Sequence, residues 1–232
     1  FDENKSDPTP CPRHLYRGIT WLAETNSFYL INGANAGVPN EHPKYKENNG
    51  TDTHTFWALD VSKKTWKLLE NPPLKRIDPY ETTLIAIPDT GKLIYFDDWN
   101  IASYDTKESK WSLLMGNTGI PVKTLKTTSA ILLDSKRHRI IFYGGLAWTS
   151  IKGAAPQMAK NQLHSYDIDK NTFEVINGIG TAEFEKIRPC AYLSDIDKYL
   201  YLTDKGHYLF DSIINQWKKL KIEMASVPFQ WC

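Results

Sequence analysis

Cysteine is scarce in this chain. Cys11, Cys190 and Cys232 are spread over 232 residues, and none stands in the CxxC spacing of a zinc or redox site. One intramolecular disulfide is the most they can form, which excludes a disulfide-built scaffold. Net charge is almost absent too: 28 Lys and Arg against 27 Asp and Glu leave +1. No bulk field therefore recruits nucleic acid or an anionic membrane. Long apolar runs are missing, the stretch Ile140–Leu146 falling far short of the roughly 18 residues of a membrane-crossing helix. Catalytic signatures are missing as well, with no GxSxG, HExxH or Gly-rich phosphate loop anywhere in the sequence.

What is present is a chain 41% apolar and 24% charged, enough for a sizeable core. It begins at Phe1, and its first ten residues are polar, without the apolar centre of a secretory signal. That fits a processed chain or an excised piece and leaves export open. Asn4-Lys5-Ser6 and Asn49-Gly50-Thr51 match the glycosylation acceptor pattern, a triplet that arises easily by chance in polar loops.

A repeat organises the sequence. Phe56-Trp57-Ala58-Leu59-Asp60, Ile101-Ala102-Ser103-Tyr104-Asp105, Leu163-His164-Ser165-Tyr166-Asp167 and His207-Tyr208-Leu209-Phe210-Asp211 each end in a large apolar residue followed by Asp. Six residues after each Asp stands an aromatic, Trp66, Trp111, Phe173 and Trp217; three further on stand Leu69, Leu114, Ile176 and Leu220. Upstream lie four short aromatic and β-branched blocks, Phe28–Ile31, Leu93–Phe96, Ile140–Tyr143 and Tyr199–Leu202, which read as buried strands. Nine residues before each block is Ile19, Leu84, Ile131 or Cys190, marking a further strand. Short polar connections between them have hairpin turn chemistry.

Each repeat thus reads as four antiparallel strands, the unit of a β-propeller blade that buries its faces only against neighbouring blades. The aromatic on the fourth strand is expected to pack between blades. The recurrent Asp60, Asp105, Asp167 and Asp211 are expected to make turns by accepting backbone amides, not to act as catalytic carboxylates. Cys190 takes a strand position suited to packing.

With Tyr143-Gly144-Gly145 closing the second strand of repeat three, the Tyr104-Asp105 and Tyr166-Asp167 pairs, and Trp six positions later, the chain resembles the kelch-repeat β-propellers, the central domain of galactose oxidases among them. The likeness runs from about Pro12 to Leu220. It departs at the glycine pair, replaced by Asn32-Gly33, Asp97-Asp98 and Thr203-Asp204 in the other repeats. The resemblance implies an all-β fold, a single propeller domain over 1–232 with repeats at about 12–70, 77–115, 124–177 and 186–222. Two readings of the ring stand open: four blades that close alone, or an excerpt of a larger ring. Closure would bring Cys11 and Cys232 within disulfide range; the alternative is three free thiols.

Chain reversal at every strand puts the tight turns on one face and the long connections on the other, where binding is expected. Residues entering the first strand of each repeat should sit at the centre of that face: Arg17, Thr82, Ser129 and Arg188 at one aligned position, with Tyr16 and Glu81 just before. Two guanidinium groups with hydroxyls between them suit a carboxylate, sulfate or phosphate, while the bland alternative is that each Arg bonds carbonyls of neighbouring blades. Trp148 could stack on a sugar or anchor an interface, or equally fold back as a lid over its blade. His42 and His54, with Glu41 and Asp52, are separated by an Asn- and Gly-rich loop, so no metal and no cofactor is expected.

The expected function is a non-enzymatic binding module for a protein or glycan partner. The alternative is a kelch-type sugar-acid isomerase, mutarotase-like, or another carbohydrate-active enzyme with its site at the axial mouth. Neither nucleic acid nor a membrane span enters the reading. Near-even charge and an end-to-end disulfide, if Cys11 and Cys232 pair, point to an extracellular or periplasmic protein, with a cytoplasmic one left open.

Overall fold

The computed structural model describes residues 10, 15, 17–33, 55–74, 82–97, 100–116, 130–143, 162–182, 187–203 and 205–221. Every sheet in it is a four-stranded antiparallel meander in chain order. The first comprises β1 (Ile19–Leu22), β2 (Ser27–Ile31), β3 (Phe56–Asp60) and β4 (Thr65–Leu69). The second comprises β5 (Thr83–Ile87), β6 (Lys92–Phe96), β7 (Asn100–Asp105) and β8 (Lys110–Gly116). The third holds β9 (Ala130–Asp134), β10 (Arg139–Tyr143), β11 (Gln162–Asp167) and β12 (Thr172–Asn177), and the fourth β13 (Ile187–Leu193), β14 (Lys198–Thr203), β15 (Gly206–Asp211) and β16 (Gln216–Lys219). The chain is all-β, and the four sheets are the blades of a four-bladed β-propeller. They fall into two compact units, the first two blades within Phe1–Thr127 and the last two within Thr128–Cys232.

The aligned residues take aligned registers. Ile19 pairs with Leu30, Leu84 with Tyr95, Ile131 with Phe142 and Cys190 with Tyr201, one pairing repeated in four blades. Alternation follows from the two-residue period: along β14, Tyr199, Tyr201 and Thr203 are buried while Lys198, Leu200 and Leu202 are partly exposed. One blade departs from the pattern. Ile101 pairs with Met115 and Ala102 with Leu113, so Leu114 is the extra residue of a bulge in β8.

The turn aspartates accept main-chain amides as their recurrence suggested. Asp60 accepts from Lys63 N at 3.0 Å, Asp105 from Lys107 N at 2.9 Å, Asp167 from Lys170 N at 2.9 Å and Asp211 from Ile213 N at 3.0 Å. Each of these turns ends on a left-handed residue, Lys64, Ser109, Asn171 or Asn215, with φ between 52° and 55°. Asparagine tolerates that conformation better than lysine. Lys64→Asn, which copies the third and fourth blades, is therefore expected to stabilise the chain by roughly 0.5 kcal/mol, read as a raised urea midpoint.

Within each unit the two blades share one apolar layer. In the first, Leu22, Tyr29, Ile31 and Phe56 meet Leu84, Leu93, Tyr95, Tyr104 and Trp111. Trp111 is 5.0 Å from Phe56 between ring centres, so the fourth-strand aromatic of the second blade joins two blades, whereas Phe173 meets Phe142 and Tyr166 of its own blade. Trp217 repeats this in the second unit, 4.6 Å from Tyr143. Each such side chain contributes about 2–3 kcal/mol by burial. The first strands adjoin as well: Leu84 N donates to Arg17 O at 3.0 Å, and Ala86 N to Thr20 Oγ1 at 3.2 Å. In the second unit, Cys190 Sγ donates to Ile131 O at 3.4 Å, and the half-buried thiol packs against the core.

Candidate functional site

Of the residues expected at the centre of the long-connection face, Arg17 and Thr82 are described in full. Arg17 is half-buried, forms a parallel bridge to Thr83, and lends its carbonyl to Leu84. Thr82 is 2% exposed, and its hydroxyl accepts from Asn32 Nδ2 at 3.0 Å across the two blades. Arg188 lies in β13 beside the irregularity between Ile187 and Cys190. Tyr16, Glu81, Ser129, Trp148, Cys11 and Cys232 lie outside the described residues, as do the two glycosylation triplets and His42 and His54. The structure thus joins Arg17 and Thr82 to one blade junction.

Beneath that junction is a buried polar chain. The Tyr95 hydroxyl donates to Asp97 Oδ2 at 2.7 Å, and Asp97 Oδ1 accepts from Asn100 N at 2.6 Å and Asn100 Nδ2 at 3.1 Å. Asn32, Tyr95 and Asp97 are fully buried. Burial, and after it the Asp97 carboxylate, holds the Tyr95 hydroxyl well above the usual phenol range. Asn32 and Asp97 occupy the positions where repeat three has its first glycine. Both hold polar bonds where a glycine would hold none, which gives a physical reason for the departure from the glycine pair.

A second network lies on the tight-turn side of the second unit. Asp134, wholly buried, accepts through Oδ2 from Arg137 Nη1 at 3.0 Å, Arg139 Nε at 3.0 Å and the Tyr199 hydroxyl at 2.6 Å. Arg137 crosses to the fourth blade, donating to Asp197 Oδ1 at 2.7 Å and Oδ2 at 2.8 Å. Lys136, Tyr192 and Ser212 complete the shell of Asp197. The Arg137 guanidinium, with Lys136, holds the Asp197 carboxyl well below its usual range.

Burial pushes several tyrosines up: Tyr143, Tyr199 and Tyr201 well above the ordinary value, and Tyr166 to about 12. The folded chain then keeps phenol protons that the unfolded chain releases near pH 10. Stability is accordingly expected to hold below about pH 10 and to fall as pH rises towards about 12. Urea titrations at rising pH, with tyrosinate absorbance followed in parallel, test this; a flat midpoint across that window contradicts it.

Two grooves open at corresponding places in the two units. One, about 260 Å³, has Ser27, Lys67, Leu69, Thr106 and Ser109 on its walls. The other, about 460 Å³, has Arg139, Glu174, Ile176, Ser212 and Asn215 at the aligned positions. Both lie between the fourth strand of one blade and the last turn of the next, away from the long connections. Among the described residues no group of His, Cys, Asp and Glu is placed to hold a metal ion.

Neither groove nor the Asp134 network was expected from the sequence. A signal existed: Asp134 aligns with Leu22, Ile87 and Leu193, a charge in an otherwise apolar column. No protein-family model matches the chain, and no curated protein matches it significantly.

Proposed function

We propose that the chain is a non-enzymatic binding module of the kelch type, recognising a protein or glycan partner through its long connections. The observation that carries this reading is the inequality of the two ends of the blades taken together. At one end every link is a turn of four residues, 23–26 and 61–64 in the first blade and 135–138 and 168–171 in the third. At the other end the links 97–99 and 204–205 are short, but the chain spends residues 32–55, 70–82, 117–129, 144–161 and 178–186 between consecutive strands. Segments of that length on a rigid sheet scaffold are where recognition usually resides. Arg17 and Arg188, which align at this end, are candidate contacts for an acidic group of the partner. A disulfide between Cys11 and Cys232, and export with it, belong to the same reading; peptide mapping without reduction tests the pairing.

The function is tested by capture from a glycan array and from a protein extract, using the full chain and a variant with 34–53 replaced by a short Gly-Ser linker. Loss of a captured partner with an unchanged melting temperature supports the reading. Undiminished capture by the variant removes that connection from the site, and turnover of a sugar acid by the intact chain overturns the non-enzymatic assignment.

A further inference from the structure

The groove of the second unit lies on the tight-turn side, so what it binds is independent of the long connections. Its distinguishing feature is the way Arg139 is held. Nε donates to Asp134 Oδ2 at 3.0 Å and Nη2 donates to the Tyr199 hydroxyl at 2.9 Å, both partners being buried. These bonds fix the plane of the guanidinium. Among the described residues its remaining nitrogen, Nη1, meets only Glu174 Oε1, at 3.5 Å, and that carboxylate is 61% exposed. A rigid cationic donor is thus answered by a loose, solvated anion.

We propose that this groove is a binding site for a small hydroxyl-bearing carboxylate, whose carboxyl group takes the place of Glu174 on Arg139. Chemistry, room and charge each support it. Glu174 already puts a carboxylate on Nη1, so the geometry accepts that group. The groove, about 460 Å³, has the size of a small-molecule site and is lined mainly by polar atoms. The Asn215 amide, on the turn of the fourth blade that also carries Ser212, lines the wall facing β12 and suits a ligand hydroxyl.

The surrounding charges make exchange feasible. Lys136, Arg137 and Arg139 face Asp134, Asp197 and Glu174, and the set is neutral while Glu174 points in. Turning Glu174 out to water leaves one net positive charge beside Nη1. An exposed, long ion pair is weak, so releasing it costs little. Arg139 needs no rearrangement, which limits the ordering cost of binding. The first unit supplies the comparison: its groove has Ser27 in place of Arg139 and Lys67 in place of Glu174, and lacks the braced guanidinium.

The test is titration calorimetry of the full chain with D-glucuronate, and with glucose, acetate and inorganic phosphate as separate arms. Glucuronate is expected to bind more tightly than acetate, and glucose not to bind. Glu174→Gln removes the competing carboxylate at an exposed position and is expected to tighten glucuronate binding by up to about fivefold. Arg139→Lys is expected to abolish it, with Lys67→Ala leaving it unchanged. No glucuronate binding to either the parent chain or Glu174→Gln overturns the proposal. So does binding that Glu174→Gln leaves unaltered, or phosphate binding as tight as glucuronate, which would assign the site to inorganic oxyanions.

Discussion

Arg137→Ala is expected to cost the second unit about 3–5 kcal/mol, the range for removing one partner from a buried ion-pair cluster. The cost arises because the substitution leaves Asp134 and Asp197 in place. Asp134 has no exposure at its side chain and Asp197 only 10%, so neither can recover its lost partner from water. Urea unfolding should show the loss, and amide exchange should quicken in β9, β10 and β14. A second variant separates this account from a simple packing loss. Asp134→Leu, Arg139→Ser and Tyr199→Phe together restore the apolar and small residues of the aligned positions and leave no buried charge unpaired. Their combination is expected to stay within about 1 kcal/mol of the parent, since well-packed apolar replacements of buried ion pairs are commonly neutral. If the triple variant unfolds as readily as Arg137→Ala, packing and not charge burial governs the site. Acid titration has a definite sign as well. Asp197 is depressed in the folded chain, so its contribution is present at neutral pH and lost as pH falls through the carboxylate range near about 4 and below. Arg137→Ala should flatten that part of the acid profile.

The strands were legible because their signals are local. A turn aspartate, an aromatic six residues later and a β-branched block each act within one hairpin, and one residue's shift would turn every side chain to the wrong face. The spacing from Asp60 to Trp66, kept in all four copies, goes with one register, Leu59 with Trp66 in the first blade and Phe210 with Trp217 in the fourth. The bulge at Leu114 was not legible, because Trp111 and Leu114 keep the common spacing and the change lies in the pairing. The Asp134 cluster was hidden for a different reason. Arg137 and Asp197 are 60 residues apart and meet only when two blades stack, so no window of sequence contains both. The grooves are hidden likewise, since each takes one wall from a strand and the other from the next blade's turn. The centre of the long-connection face is legible only in part: Thr82, aligned with two arginines, is buried and bonded to Asn32, where alignment alone suggested a surface hydroxyl.

Trp111→Ala and Trp217→Ala should each cost about 3–5 kcal/mol, as deletion of a large aromatic from a shared core leaves a cavity that the sheets cannot close. Both side chains are 7% exposed and both pack across a blade junction, so alanine alone does not tell them apart. Phenylalanine does. Trp111 Nε1 donates to Glu70 O at 2.9 Å, tying the end of the first blade to the second, whereas Trp217 Nε1 is buried without a hydrogen-bond partner. Trp111→Phe therefore loses a hydrogen bond worth about 0.5–1.5 kcal/mol in addition to ring area, and Trp217→Phe loses area alone while relieving an unsatisfied donor. The first variant should be the less stable of the two by about that margin in urea unfolding. Equal losses would mean that the indole nitrogen of Trp111 adds nothing to the junction and that ring packing alone joins the blades.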